Sequence, residues 1–349
     1  MPEPRPRDAV IRMAPYHPPS GGREGGLRLD FNENTEGCSP RVLEAIREAL
    51  NPPALSMYPE YSEARKVFAK HFGVADEQML LTNGTDEAIQ LLVQAYVDDG
   101  DAVVTLRPSY AMYRFYAELA GGLVRDIPFP PDLSFPEREL LAAAGEGARV
   151  VLIASPNNPT GSATTLNFIR RLLAAVPAAA VLVDEAYFEF HGVTALPLID
   201  EFPNLFVCRT FSKAYGMAAL RFGCLFTNAE NAQHLRKAQS PYSVNSVAVI
   251  AARAAVQDPE YVAAYVRNSL AARRQIGEEL DRLGIRHFPS AANFVLFEAG
   301  ERAGALCAEL RRRGVLVRDR SYELSGCVRV TTGTLPQAER FLEELKQLW

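Results

Sequence analysis

Residues 207–222 read VCRTFSKAYGMAALRF, and the fold turns on how that run is parsed. The apolar stretch 205–208 (Leu-Phe-Val-Cys) has the look of a buried strand. It ends in a knot of donors: Arg209, Thr210, Ser212, Lys213 and, further on, Arg221. The remaining lysines, Lys66, Lys70, Lys237 and Lys346, stand in charged, helix-patterned surroundings where a solvated ammonium is expected. Lys213 alone follows a strand and is flanked by hydroxyls. A lysine in a dry, electropositive setting at a strand end suits covalent catalysis through a Schiff base. Taken in isolation it also reads as a surface lysine, so the rest of the chain has to decide.

Outward from this run the same strand–loop–helix alternation recurs. Apolar runs at 79–82, 102–106, 150–154, 180–183, 205–208 and 222–226 predict strands, several of them apolar on consecutive residues. Strands of that kind are buried on both faces, as in a mostly parallel sheet between helices. Helices at 86–97 and 166–176 show by period. In open α/β sheets ligands bind where strands hand over to loops at their carboxyl ends. The polar clusters fall there: Asn83-Gly84-Thr85-Asp86, Pro108-Ser109-Tyr110, 155–159 (SPNNP), Asp184-Glu185-Ala186-Tyr187 and Thr210-Phe211-Ser212-Lys213. Loops that converge in this way make one site.

Residues 1–26, rich in Pro and Gly, read as an extended arm with a flexible loop. Ser39-Pro40 caps a helix of pattern VLEAIREAL, and Tyr58-Pro59-Glu60 breaks the chain before a helix over 62–72. After Pro241 the pattern changes to a long helix (260–283), a strand (293–298), a helix (303–313), strands at 315–318 and 327–332, and a last helix (336–348). The expected organisation is an arm (1–28), a large α/β domain (29–240) and a smaller α+β C-terminal domain (241–349).

Composition agrees with a two-domain soluble globular protein. The 349 residues exceed a single domain at roughly 150 residues each, and 48% hydrophobic with 23% charged residues can bury a large core. A net charge of −5 with interspersed signs argues against nucleic acid or an anionic membrane as partner. The five cysteines show no CxxC spacing and the five histidines are dispersed, so reduced thiols are expected, with no metal site. Residues 1–12 lack an apolar core, and the longest apolar run, 172–183, is interrupted by Pro177 and too short to span a bilayer. A cytoplasmic location is expected.

A pyridoxal phosphate site needs a lysine for the aldehyde, a carboxylate for the ring nitrogen, donors to the phenolate oxygen and a cup for the phosphate. Asp184 suits the carboxylate role, although an N-cap or surface aspartate is equally in keeping with its position. Asn157 and Tyr187 are candidate donors, and Asn157 is also what a Pro-Asn-Asn-Pro turn calls for. Gly84 and Thr85 open a helix at Asp86, which offers free N–H groups to a phosphate; the Asp86 carboxylate would repel it, so that residue should act through its amide. Thr210 and Ser212 add hydroxyls and Arg221 a charged fork, while Tyr110 is placed either to lie on the ring or to pack in the core.

The ordered set Asn83-Gly84-Thr85-Asp86-Glu87, 155–161 (SPNNPTG), Asp184-Glu185-Ala186-Tyr187 and Ser212-Lys213-Ala214 with Leu220-Arg221-Phe222-Gly223 resembles the fold-type I, class I/II aminotransferases. Asn32-Glu33-Asn34, Tyr58-Pro59-Glu60, 240–245 (SPYSVN), Ala292-Asn293-Phe294, Val317-Arg318-Asp319 and 324–330 (LSGCVRV) resemble the histidinol-phosphate branch, the likeness covering about residues 29–345. The resemblance implies a large domain with a mostly parallel seven-stranded sheet between helices, a smaller α+β domain, and pyridoxal phosphate as cofactor. It implies that Lys213 forms the Schiff base, Asp184 pairs with the ring nitrogen, Asn157 and Tyr187 hold the phenolate oxygen, and Tyr110 stacks on the ring. Gly84, Thr85, Asp86, Thr210, Ser212 and Arg221 would line the phosphate cup, and Tyr58 would come from the neighbouring subunit of a homodimer with shared sites. Arg329 would bind a substrate carboxylate, Arg318 would join it for a phosphate, and the arm around Tyr16 would close over the substrate. Thr35 departs from the proline common after the Asn-Glu-Asn turn. The implied activity is transfer of the amino group of L-histidinol phosphate to 2-oxoglutarate. An aromatic amino-acid aminotransferase or a threonine-phosphate decarboxylase would share the cofactor residues, and a non-catalytic sensor of amino acids is the reading from another class.

Overall fold

The structure, a computed structural model, describes residues 3–15 and 21–349. Strand β1 (Leu27–Arg28) stands apart from the central sheet. That sheet contains β2 (Met79–Thr82), β3 (Ala102–Arg107), β4 (Leu123–Pro128), β5 (Val150–Ala154), β6 (Ala180–Asp184), β7 (Leu205–Thr210) and β8 (Gly223–Phe226). Their spatial order is β2-β8-β7-β6-β5-β3-β4, and neighbours run parallel except at β8, which is antiparallel to both β7 and β2. The smaller sheet is antiparallel, in the order β12 (Arg318–Asp319), β13 (Cys327–Thr331), β10 (Phe294–Glu298), β9 (His287–Phe288). β11 (Val315–Leu316) pairs in parallel with β1.

The two-residue period of a strand decides which side chain enters which layer. Val151, Ile153, Val181, Val183 and Val207 pack into one helical layer, with Phe68, Phe168 and Leu172. Leu152, Leu182, Phe206, Cys208 and Leu225 pack into the opposite layer, against Ile89, Leu92 and Tyr113. The central strands β5, β6 and β7 are buried at every position, which is why they read as continuous apolar runs. A third core, built on Leu29, Ile276, Val295, Val328 and Phe341, belongs to the smaller sheet. Helix Pro259–Arg282 joins the cores: Val262 and Tyr265 pack in the first, Ala272, Ile276 and Leu280 in the third.

The sequence reading needs correction in three places. The arm is not wholly extended: Asp8–Arg12 is a helix that rests on helix Ala111–Ala120 and buries Ala9. β4 was not expected. It is an edge strand of alternating exposure whose LVRDIP carries both charge signs and ends in proline, so it has no apolar run to betray it. The run at 315–318 is two short strands, one in each of two sheets. No helix among the described residues is long and apolar enough to cross a membrane.

Gly223 shows how tightly the strand ends are drawn together. A Cβ on this residue would lie 2.9 Å from the Arg209 carbonyl oxygen, 2.9 Å from the Gly84 carbonyl carbon and 3.1 Å from the Thr85 nitrogen, all backbone. Gly223→Ala is therefore expected to destabilise the protein by about 1–3 kcal/mol, as overpacking does, read as a lower urea midpoint at unchanged slope. Gly145→Ala, where nothing lies within 4 Å, serves as the control and leaves the midpoint unchanged or higher.

Candidate active site

The loops after the parallel strands enclose a cavity of about 440 Å3 lined, among others, by Phe31, Asp184, Tyr187, Lys213, Arg221 and Arg329. Asp184, the last residue of β6, lies at its floor and is 3% exposed. Its Oδ2 accepts a hydrogen bond from the Tyr113 hydroxyl at 2.8 Å and its Oδ1 one from the Ala186 N–H at 3.0 Å. No cation pairs with it among the described residues, and burial pushes its pKa up despite those donors.

Lys213 stands three residues beyond the end of β7. Its Nζ donates to the Phe31 carbonyl at 2.9 Å and has no carboxylate partner among the described residues. Burial first, then the nearby Arg329 guanidinium, lowers its pKa to about 8. Such an amine is half neutral at a pH of about 8, far below the range of an exposed lysine, and the neutral form is the nucleophile.

Helix Gly84–Tyr96 begins at the cavity wall, and the Asn83 side chain makes no capping bond to its first turn. The first N–H groups are thereby left for an anion. Gly84 has φ +75, and a Cβ there would sit 2.6 Å from Arg221 Nη2, so the turn needs glycine both for its backbone and for the guanidinium beside it. Arg221 donates to Ser212 Oγ at 3.4 Å and to Asp86 Oδ2 at 3.1 Å. The Thr210 hydroxyl accepts from the Ser212 N–H at 3.1 Å, and the Tyr110 hydroxyl donates to Asp86 Oδ1 at 2.7 Å. The Asp86 carboxylate is thus turned to Arg221 and Tyr110.

Tyr187 is buried with its hydroxyl accepting from Asn32 Nδ2 at 2.9 Å. With that lone pair engaged, its own proton is available to an oxygen in the cavity. Arg329, fully enclosed, donates to Asn158 Oδ1 and, at 2.6 Å, to the Asp30 carbonyl. Burial, then Arg320, lowers its pKa to about 10. Arg318 lies directly opposite Arg329 across the β12–β13 pair, and both line the cavity.

One expected residue, Asn157, does not reach the cavity. Asn157 is wholly buried behind the wall: its Nδ2 donates to the Pro108 carbonyl at 3.0 Å and to Thr160 Oγ1 at 2.9 Å, and its Oδ1 accepts from Ser109 at 2.6 Å. It has no donor left for a ligand, and the asparagine on the cavity is its neighbour Asn158. Tyr58 is 78% exposed, stacked on the Tyr242 ring at 4.5 Å, and does not line the cavity of its own chain. Tyr16 lies outside the described residues. Sequence reasoning missed Tyr113, Asn158 and Arg320. Only Arg320 had a signal, its i, i+2 spacing from Arg318, which puts both side chains on one face.

The residues fit the cofactor that the resemblance implies. An unpaired buried carboxylate answers a protonated ring nitrogen, the open helix end with Arg221 answers a phosphate, and the shifted lysine answers an aldehyde.

Comparison with known proteins agrees with this geometry. Histidinol-phosphate aminotransferase of Symbiobacterium thermophilum is 39% identical to this chain over 97% of each. The crystal structure of histidinol-phosphate aminotransferase from Sinorhizobium meliloti in complex with pyridoxal-5'-phosphate matches with a TM-score of 0.88 at 27% identity, over 99% of this chain and 98% of that one. L-threonine-O-3-phosphate decarboxylase from Porphyromonas gingivalis matches with a TM-score of 0.81 at 25% identity, over 92% of this chain and 99% of its own. Residues 24–345 match the family described as aminotransferase class I and II, a span that contains every side chain of the cavity from Phe31 to Arg329, and the chain belongs to that family.

Proposed function

We propose that this aminotransferase binds pyridoxal phosphate in the cavity around Lys213 and moves the amino group of L-histidinol phosphate to 2-oxoglutarate, giving imidazole acetol phosphate and L-glutamate. The observation that carries the reading is the buried Lys213 amine, lowered to about 8, in one cavity with the unpaired Asp184 carboxylate. The substrate is supported by similarity to proteins named for that activity.

Pyridoxal phosphate, when bound, supplies an aldehyde to carry the amino group and a ring that takes up the electron pair left at Cα. Lys213 Nζ would hold the aldehyde and, when free, would serve as the general base and acid that takes up the Cα proton and returns it. Asp184 keeps the ring nitrogen protonated. The Tyr187 hydroxyl and Asn158 Nδ2, which has no protein partner among the described residues, donate to the phenolate oxygen. Tyr110 would cover one face of the ring, and Gly84, Thr85, Asp86, Thr210, Ser212 and Arg221 would seat the phosphate. Arg329 with Arg318 binds the anionic end of each substrate in turn, so both half-reactions of a ping-pong cycle share one pocket.

We place the enzyme in the cytoplasm, in keeping with its unpaired cysteines. We also propose a homodimer. Leu55, Met57, Tyr58 and Tyr242 are 67%, 65%, 78% and 52% exposed, an apolar patch suited to a second copy of the chain. In that dimer Tyr58 of the partner subunit reaches the phosphate cup.

Purified holoenzyme is expected to lose its cofactor absorbance to the pyridoxamine form when mixed with L-histidinol phosphate and to respond little to phenylalanine; release of CO2 from threonine phosphate would assign the decarboxylase activity instead. Because the Lys213 pKa is lowered, its amine is protonated and unreactive below about 8 and free above it. The rate at which apo-protein captures pyridoxal phosphate should therefore rise with pH through about 8, and Lys213→Ala should abolish capture. Shared sites are tested by mixing inactive Lys213→Ala subunits with Tyr58→Ala subunits: hybrid dimers contain one native site and regain activity, whereas sites confined to one chain would regain none.

A further inference from the structure

Three guanidinium groups face the substrate end of the cavity, those of Arg318, Arg320 and Arg329. The first and last are the pair that the family resemblance implies; Arg320 is neither. It lies just past the end of β12 and lines the same cavity as Arg318, and its charge is the second cause of the lowered Arg329 pKa. It is 8% exposed.

One of the three is paired with a carboxylate. Glu323 also lines the cavity and pairs with Arg320 Nη2, while Arg318 and Arg329 have no ion-pair partner among the described residues. The turn that brings acid and base together is short: the Glu323 N–H donates to the Arg320 carbonyl at 3.0 Å, and the Tyr322 ring lies 5.1 Å from the guanidinium carbon. Glu323 satisfies only one edge of the fork. Arg320 Nε is buried without any hydrogen-bond partner, as is Arg329 Nε. A buried guanidinium N–H left unbonded carries a desolvation penalty that a ligand oxygen would relieve.

The charges sum to about two positive units in a site of low dielectric. The proposed reaction puts two different anions in that place, a carboxylate with one negative charge and a phosphate monoester with two near pH 7. Arg329 answers the first, and Arg318 beside it adds a second charge. Arg320 brings a third guanidinium, which Glu323 engages only in part.

We propose, on the reading that the substrates are a phosphorylated amine and an amino acid, that Arg320, held in check by Glu323, is the residue that lets this pocket accept a phosphate dianion as well as a carboxylate. Glu323 offsets the Arg320 charge while a monoanion is bound. A dianion draws on the Arg320 charge and on the guanidinium donors that Glu323, paired through Nη2, leaves free.

The test uses the holoenzyme, whose own phosphate cup is filled. Arg320→Gln is expected to raise KM for L-histidinol phosphate by about tenfold to about a hundredfold, the loss of one hydrogen bond to a charged group. KM for glutamate should stay within about threefold, and Arg320→Lys should recover part of the loss. Glu323→Gln, which leaves the arginine in place, should bind the phosphate substrate more tightly and glutamate nearly as before. A rise of both KM values together, or of neither, overturns the assignment, as does weaker phosphate binding by Glu323→Gln. Calorimetric titration with glycerol 3-phosphate, which has the dianion but no amino group, decides the point even if histidinol phosphate is not the substrate. Binding by the native holoenzyme that Arg320→Gln weakens supports the role; no binding by the native protein, or equal binding by both, overturns it.

Discussion

A carboxylate buried without a cation is the constraint to which the rest of the molecule answers. Asp184 receives hydrogen bonds from Tyr113 and Ala186, both neutral donors, and its pKa still rises. An anion in that position costs several kcal/mol even after relaxation. The sheet can hold it there because β6 is enclosed on both faces and between β5 and β7, so the strand cannot shift to hydrate its last residue. The core is thus the mechanical support for one uncompensated charge.

Charges of the other sign are kept apart from it. Arg221 is turned to Asp86 and Ser212 at the helix end, Arg329 to Asn158 and the Asp30 carbonyl, and Lys213 to the Phe31 carbonyl. None of these cations forms an ion pair with Asp184 among the described residues, so the field across the cavity is not cancelled from within. Lys213 feels that arrangement as a cation among cations in a dry place, and it gives up its proton more easily. A cofactor with an anionic arm, a cationic ring nitrogen and an aldehyde meets each unbalanced group separately.

Most of the fold was legible because its central strands are buried on both faces: β2 and β5 have the expected bounds, and β6 and β7 run on only to Asp184 and Thr210. Parallel-sheet logic then placed the polar loops at one end, where the cavity lies. What escaped was set by direction and by edges. Asn157 and Asn158 are indistinguishable by type, and only the chain path shows that one amide bonds backward to Pro108 while its neighbour faces the cavity. β4 hides its strand character because an edge needs no continuous apolar run. Tyr113 sits in a helix among core residues, where its hydroxyl bond to Asp184 leaves no trace in the sequence pattern.

The segment from Asp30 to Asn34 shows why the site forms as a unit. Its Asp30 carbonyl serves Arg329, its Phe31 carbonyl Lys213, its Asn32 amide Tyr187, and its Asn34 amide the Ala214 carbonyl. On the other side Asn32 meets Thr331 and Asn293. Residues of the large sheet and of the small sheet therefore reach the same five residues, and neither group has its geometry without them. Arg23 holds the segment from outside, bonded to Asp30 at 2.8 Å and to Glu33 at 2.6 Å and lying 4.1 Å over the Phe31 ring. Both carboxylates are engaged by that guanidinium and neither forms an ion pair with Lys213 or Arg329 among the described residues, although Glu33 borders the cavity and its charge works against the lowering of the Lys213 pKa. Arg23, which does not line the cavity, thus fixes through Asp30 and Glu33 the segment whose carbonyls hold Lys213 and Arg329.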